Sequence, residues 1–355
     1  MFALLVYVSL CLVLCPKLTA RLRTLSHRSR LFAWLSIFVI VRKELGLRFA
    51  VTLALIYLSL SPRVTPWPYE HFLFGGRELF YLSDRGLSEQ MESAGFKDVS
   101  VFDETWKTPH GELHVVRVER ASAPLDVVVV VSQGIAGNIG GHMSLLKLLT
   151  ESGAREVVIY EPRGFGLSHF ASWSPARIPT YFGGLEHVSI HSMVEDAYDV
   201  MQLVKQRDAV RLRPIVWWGE SFGASVVSYL ATRNGGNVEA VVLQSGFKSA
   251  ADIGYDRRDL PVRFNPCRIY PRWLYPRELN TIKWLKGEHP PVLLIHGERD
   301  RIVPCQHSCD VKAAASGSCR LVLLPDSRHV QLATRDRALA VSTVNQFIGG
   351  VLCRR

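Results

Sequence analysis

The sequence predicts an α/β fold: a mostly parallel central sheet flanked by helices. Three observations carry this. Short β-branched runs, apolar on both faces, recur along residues 127–324. Helix-length segments separate them. Glycine- and proline-rich turns close the carboxyl ends of the runs. Strand–helix alternation of this kind produces parallel sheets with helices on both faces.

Val127–Ser132 is five valines and a serine, the signature of a strand buried on both sides. Met143–Ser152 reads as a helix. Glu156–Tyr160 is a second buried strand, closed by the turn Glu161 to Gly166. His191–Arg207 is a long amphipathic helix. Pro214–Trp218 is a third strand, and Ala224–Thr232 continues as helix. Ala240–Gln244, Pro291–His296 and Arg320–Leu324 complete the strands. Ahead of them, Val99–Glu119 holds two alternating polar–apolar strands, expected as an antiparallel edge hairpin.

A chain of 355 residues, 48% hydrophobic and 21% charged, has enough apolar content for a full core. The formal charge of +10 is unevenly placed. Residues 1–69 carry nine Lys and Arg against Glu44 alone, a net +8 that leaves +2 for residues 70–355. A nucleic-acid-binding body needs clustered positive charge, so no nucleic-acid partner is expected.

Residues 1–61 are expected to be a hydrophobic, basic, membrane-associated region. Phe2–Cys15, Leu31–Val41 and Phe49–Ser61 are free of charge. Each is shorter than the ~20 residues of a spanning helix. The basic flank from Lys17 to Arg30 follows the first run rather than preceding it, which favours a retained anchor over a signal peptide. The alternative is a cleaved targeting segment followed by an amphipathic arm. Pro62, Pro66 and Pro68 mark a linker at residues 62–70. Residues 71–355 then form the catalytic domain, with a cap or lid inserted at 246–290.

The chemical signal is Gly219-Glu220-Ser221-Phe222-Gly223, placed between a strand and a helix. A serine hydroxyl is a weak nucleophile. It needs an exposed, strained position beside a base, and flanking glycines let strand and helix pass closely. With this motif in that context, the sequence resembles the α/β-hydrolase superfamily, whose order is Ser, then Asp or Glu, then His. Gly297-Glu298-Arg299-Asp300 resembles the family's acid loop and implies Asp300 as the acid. Pro325-Asp326-Ser327-Arg328-His329 resembles its histidine loop and implies His329 as the base. Asp252 is an alternative acid. Asp326 sits too near His329 in sequence to serve well. His296 and His307 are expected in the surroundings or at the surface.

The oxyanion donors are expected to be the Phe222 N–H and, by resemblance, the Ile135 N–H, with Ala136 as second choice. Gln133 stands where the family often has His. Gln133–Gly140 and Pro162–Ser168 resemble the membrane-anchored lipase, lysophospholipase and depalmitoylase branch. The implied activity is hydrolysis of acyl esters or thioesters, on a lipid or an acylated protein, through an acyl-enzyme. No metal or organic cofactor is required. A serine peptidase of the prolyl-oligopeptidase type and a catalytically silent binding protein are the alternatives. Two segments are long enough to cover the site, Phe170–Ile190 with Trp173, Tyr181 and Phe182, and Phe247–His289 with Tyr255, Phe264, Tyr270, Trp273, Leu274, Tyr275 and Trp284; ordinary packing of a cap on the sheet is the alternative. The Arg163 turn reads as structural.

Of seven cysteines, Cys305, Cys309 and Cys319 lie near His307, but their spacing matches zinc modules poorly. Free thiols are expected, with a Cys309–Cys319 disulfide only in an oxidising compartment. Cys11 and Cys15 are candidates for acylation.

Overall fold

The computed structural model describes residues 54–58, 91, 95–135, 138–170, 189–233, 238–256, 272–275 and 279–353. Among the described residues, nine strands form one sheet: β1 (Ser100–Thr108), β2 (Gly111–Glu119), β3 (Leu125–Ser132), β4 (Ala154–Tyr160), β5 (His169–Phe170), β6 (Ile215–Glu220), β7 (Ala240–Gln244), β8 (Val292–Gly297) and β9 (Cys319–Leu324). Eight run in the order β1-β2-β4-β3-β6-β7-β8-β9, and the short β5 pairs with β2. From β4 through β9 every pairing is parallel; β2 is antiparallel to β1, β4 and β5.

The helices are α1 (Met143–Glu151), α2 (Ile190–Gln206), α3 (Phe222–Arg233), α4 (Ala250–Asp256), α5 (Thr281–Leu285), α6 (Gln306–Ala314) and α7 (Arg337–Leu352). Single 3₁₀ turns lie at Ile139–His142 and Arg272–Leu274. Ser189 starts α2 with a reciprocal capping box to Ser192, which satisfies two otherwise unpaired N–H groups.

The period of two along β3 splits the core. Val128 and Val130 join a layer with residues of α2, α3 and α4. Val127, Val129 and Val131 face the layer formed by α1 and α7. A strand buried on both faces must be apolar at every position, which is why β3 reads as a valine run.

The expected edge hairpin is only half an edge. β1 alternates in exposure, but β2 is buried along most of its length because β4 and β5 flank it as well. Its charges are tolerated because they are paired. Arg117 meets Glu104 at 2.7 Å, Glu119 at 2.6 Å and Glu156 at 3.1 Å.

The region expected at the membrane lies outside the described residues except for a helical turn at 54–58, where Tyr57 packs against the α2–α3 layer. Among the described residues, no helix is long and apolar enough to cross a membrane. The linker at 62–70 also lies outside them. Within 246–290, Leu274, Tyr275, Leu279 and Leu285 are buried in the α2–α3 layer.

Candidate active site

Ser221 stands where β6 ends and α3 begins, with φ of +53°, a left-handed conformation costly for a residue with a Cβ. The flanking glycines are sterically required. A Cβ on Gly219 would lie 2.6 Å from the Ala224 Cα, and one on Gly223 would lie 2.1 Å from the Ser132 carbonyl oxygen. The turn is held from below by the Ser221 N–H, which donates to the Gln244 carbonyl at 2.8 Å.

Three side chains that are far apart in the sequence converge here. His329 Nε2 lies 3.0 Å from Ser221 Oγ, and His329 Nδ1 lies 2.7 Å from Asp300 Oδ2. A carboxylate only accepts, so Nδ1 carries the proton and Nε2 is left to accept the hydroxyl proton.

Asp300 is fixed in turn. Its Oδ1 accepts the N–H groups of Ile302 at 2.9 Å and Val303 at 2.8 Å. His296 is buried, not at the surface, and its Nε2 lies 3.3 Å from Asp300 Oδ2. That ring also contacts the Val303 carbonyl at 2.8 Å and Ser308 Oγ at 2.7 Å. Burial works against charge on Asp300, but His296 and His329 outweigh it and bring its pKa down to about 2. Gly297 lets the two loops touch: a Cβ there would meet the Ser327 carbonyl oxygen at 2.3 Å.

The alternative acids are engaged elsewhere. Asp252 accepts the Ser249 hydroxyl at 2.5 Å at the start of α4, and Asp326 pairs with Arg299 at 2.8 Å on the exposed side of its loop. His307 is likewise buried. Its Nδ1 accepts the Lys248 N–H at 3.3 Å, and burial, reinforced by the Lys248 charge, lowers its pKa to about 4.

The loop after β3 lies directly against the nucleophile. A Cβ on Gly134 would be 3.2 Å from Ser221 Cβ. Ile135 follows, packed against the α2–α3 layer, and Phe222 opens α3 with its ring edge-on to Phe247 at 6.0 Å. Ala136 lies outside the described residues.

Sequence reasoning missed what holds this loop. Gln133 is buried, yet neither polar atom of its side chain has a hydrogen-bond partner. The supports are Glu161 and His142. Glu161, fully buried at the end of β4, accepts the Ile139 N–H at 2.9 Å and the Leu167 N–H at 2.8 Å, and contacts His114 at 2.8 Å. Burial opposes its charge, but these partners hold its pKa below the usual value. Gly166 is needed beside it, since a Cβ there would fall 2.0 Å from the carboxylate. His142 contacts the Asn138 carbonyl at 2.8 Å and Glu220 at 3.1 Å. A carboxylate directly after an apolar strand was the one local signal for Glu161.

One expectation is corrected. Trp284 does not cover the site. It packs at 5.0 Å on Tyr229 and under the Arg233 guanidinium, near the far end of α3 from Ser221, because α5 buries its apolar face against that helix. Cys309 and Cys319 are free thiols, the default expectation; one sits on α6 and the other opens β9. Tyr255 and Tyr275, expected in the same cover, are buried in the α2–α3 layer with their rings edge-on at 5.9 Å, and Trp273 is half exposed; the remaining aromatics lie outside the described residues.

Residues 127–282 match the family model described as the alpha/beta hydrolase fold. This chain has the α/β-hydrolase fold. The chain is 26% identical over 218 residues to the uncharacterized protein YfhR of Escherichia coli K12; the match spans 60% of this chain and 67% of YfhR. It is 28% identical over 193 residues to the lysophosphatidylserine lipase ABHD12 of Danio rerio, covering 50% of this chain and 44% of that protein. Among solved structures, the Pyrococcus furiosus esterase Pf2001 superposes with a TM-score of 0.57 at 16% identity, over 76% of this chain and 95% of the esterase. Est1E of Butyrivibrio proteoclasticus, solved with ferulic acid, gives 0.55 at 19% identity, over 70% and 99%. At these identities the structures speak for the fold.

Proposed function

We propose that this protein is a membrane-associated serine hydrolase of acyl esters or thioesters. The observation that carries the reading is the chain of contacts from Ser221 through His329 to Asp300. Ser221 Oγ attacks the acyl carbonyl carbon while His329 Nε2 takes its proton. The tetrahedral oxyanion sits between the N–H groups of Phe222 and Ile135. Collapse breaks the bond to the leaving alcohol or thiol, which takes the proton from His329, and leaves an acyl ester on Ser221. Water repeats the sequence, with His329 again as base, and releases the carboxylic acid. Asp300 keeps the ring oriented and offsets the charge of the imidazolium.

Two findings support an acyl ester or thioester as substrate. The relatives include a lysophosphatidylserine lipase. The apolar, basic residues 1–61 would bring the domain to a lipid surface that holds such substrates.

Two measurements test this. A fluorophosphonate probe should label the wild type and not Ser221→Ala. If both label equally, or neither labels while folded, the reading fails. A panel of p-nitrophenyl esters and acyl-CoA thioesters of increasing chain length then ranks the substrates. For the membrane part, the full chain should float with liposomes on a density gradient; recovery only in the dense fractions would remove that half of the proposal.

A further inference from the structure

We infer that His142 and Glu220 form a buried positioning pair that fixes the loop carrying the Ile135 N–H against the nucleophile turn. The inference rests on the acyl-enzyme reading above and adds a residue pair that does not touch the substrate.

Glu220 immediately precedes Ser221, and its side chain is turned away into the protein. Its Oε1 lies 3.1 Å from His142 Nε2, and both side chains are 7% exposed. The other ring nitrogen, Nδ1, lies 2.8 Å from the Asn138 carbonyl oxygen. Carboxylate and carbonyl are both acceptors, so the geometry requires a proton on each ring nitrogen. His142 is therefore an imidazolium paired with the Glu220 carboxylate, and it spans two chain segments. One segment is the turn that aims Ser221. The other begins three residues after Ile135.

The rest of the loop makes this tie necessary. Gln133, at the near end, contributes no side-chain hydrogen bond. The Asn138 side chain accepts the Gly141 N–H at 3.3 Å, and Glu161 accepts the Ile139 N–H at 2.9 Å. The far end is thus held tightly, and His142 connects it to the nucleophile strand. The charged groups acting on the ring are Glu220 from β6 and Glu161 from the end of β4. Burial disfavours a charged ring, but these carboxylates and the Asn138 carbonyl hold its pKa above the ordinary value. Loss of the proton leaves a ring lone pair facing an acceptor, and the loop is released from the turn.

The test uses the full chain with p-nitrophenyl butyrate. In the wild type, kcat should fall at alkaline pH as His142 deprotonates, with KM unchanged. Glu220→Gln puts an amide beside the ring that donates to a neutral Nε2, so that alkaline limb should vanish. Its kcat should be lower by about tenfold to a hundredfold, short of the ~10²–10³ lost with an oxyanion donor itself. A Glu220→Gln enzyme with wild-type kcat and an unchanged alkaline limb overturns the inference. Ring ¹⁵N shifts in histidine-labelled wild type, with His142 assigned by its absence in His142→Gln, provide a readout independent of turnover and of how Glu220→Gln folds. A ring doubly protonated at pH 7 supports the pair, and a neutral ring refutes it. Failure of fluorophosphonate labelling would instead strike the serine hydrolase reading and leave the ring measurement standing.

Discussion

Gly223 and Ser132 are pressed together so closely that no side chain fits between them: a Cβ on Gly223 would lie 2.1 Å from the Ser132 carbonyl oxygen and 2.6 Å from that of Gln133. Both obstacles are main chain, so nothing flexible can move aside. Gly223→Ala should therefore displace α3 from β3 and tilt Ser221 away from His329. The expected cost is at least the ~1–3 kcal/mol of an overpacked core. Thermal unfolding should show the loss, and fluorophosphonate labelling should slow by more than the unfolded fraction explains.

In the proposed mechanism Asp300 orients His329 without reacting, so Asp300→Asn should leave the fold and fail in turnover. The amide can donate to Nδ1 and impose the wrong tautomer. A drop of about 10⁴ in kcat is expected, by analogy with the corresponding change in other triads. With its pKa near 2, Asp300 stays ionised above about pH 3, so any activity loss between pH 4 and 6 belongs to another group. The lowered value also stabilises the fold, by roughly 2 kcal/mol. That contribution is present above about pH 4 and is lost as pH falls toward 2. Urea unfolding of wild type and Asp300→Asn across that range should converge at the acid end.

His307 also makes stability fall toward acid, but over a higher pH range. Its pKa in the folded protein is about 4, below the ordinary 6.5, because burial and Lys248 disfavour the charged ring. The unfolded chain binds the proton more readily, so stability should rise by roughly 3 kcal/mol from pH 4 to pH 6.5. His307→Asn should flatten that part of the stability–pH curve. An unchanged slope would show that another group is responsible.

Arg163 is the counter-charge for a buried acid. It meets Asp196 at 2.5 Å through Nε and Glu195 at 2.6 Å through Nη2. Even so, burial lifts the Asp196 pKa to about 6. Arg163→Ala should cost about 3–5 kcal/mol at pH 8, where Asp196 would be an unpaired buried charge. The cost should shrink at pH 5, where the carboxyl takes up a proton. Chemical denaturation at the two pH values checks both parts.

The parallel strands were legible because burial on both faces leaves a sequence mark, as in the valines of β3. The serine turn was legible because its glycines are imposed by backbone contact. What escaped was pairing at a distance. Glu161 and His142 look like ordinary surface residues until β3, β4 and β6 lie side by side, and no local period records that. β2 was misread for the same reason: its polar residues suggested exposure, while the Glu104, Glu119 and Glu156 carboxylates that neutralise Arg117 come partly from β1 and β4. Trp284 was placed by composition over the site, whereas the packing of α5 on α3 takes it to the opposite end of that helix.

Ser221 and His329 are 108 residues apart in the chain, and the histidine hangs from the loop after β9, the outermost strand of the parallel array. A nascent chain still short of that strand has a hydroxyl with no imidazole to activate it. Reactivity is thus withheld during synthesis and arrives with the last strand to dock. Under the proposed mechanism the cell is spared a half-made hydrolase site, and recovery of turnover after refolding becomes a clock for the final step of assembly.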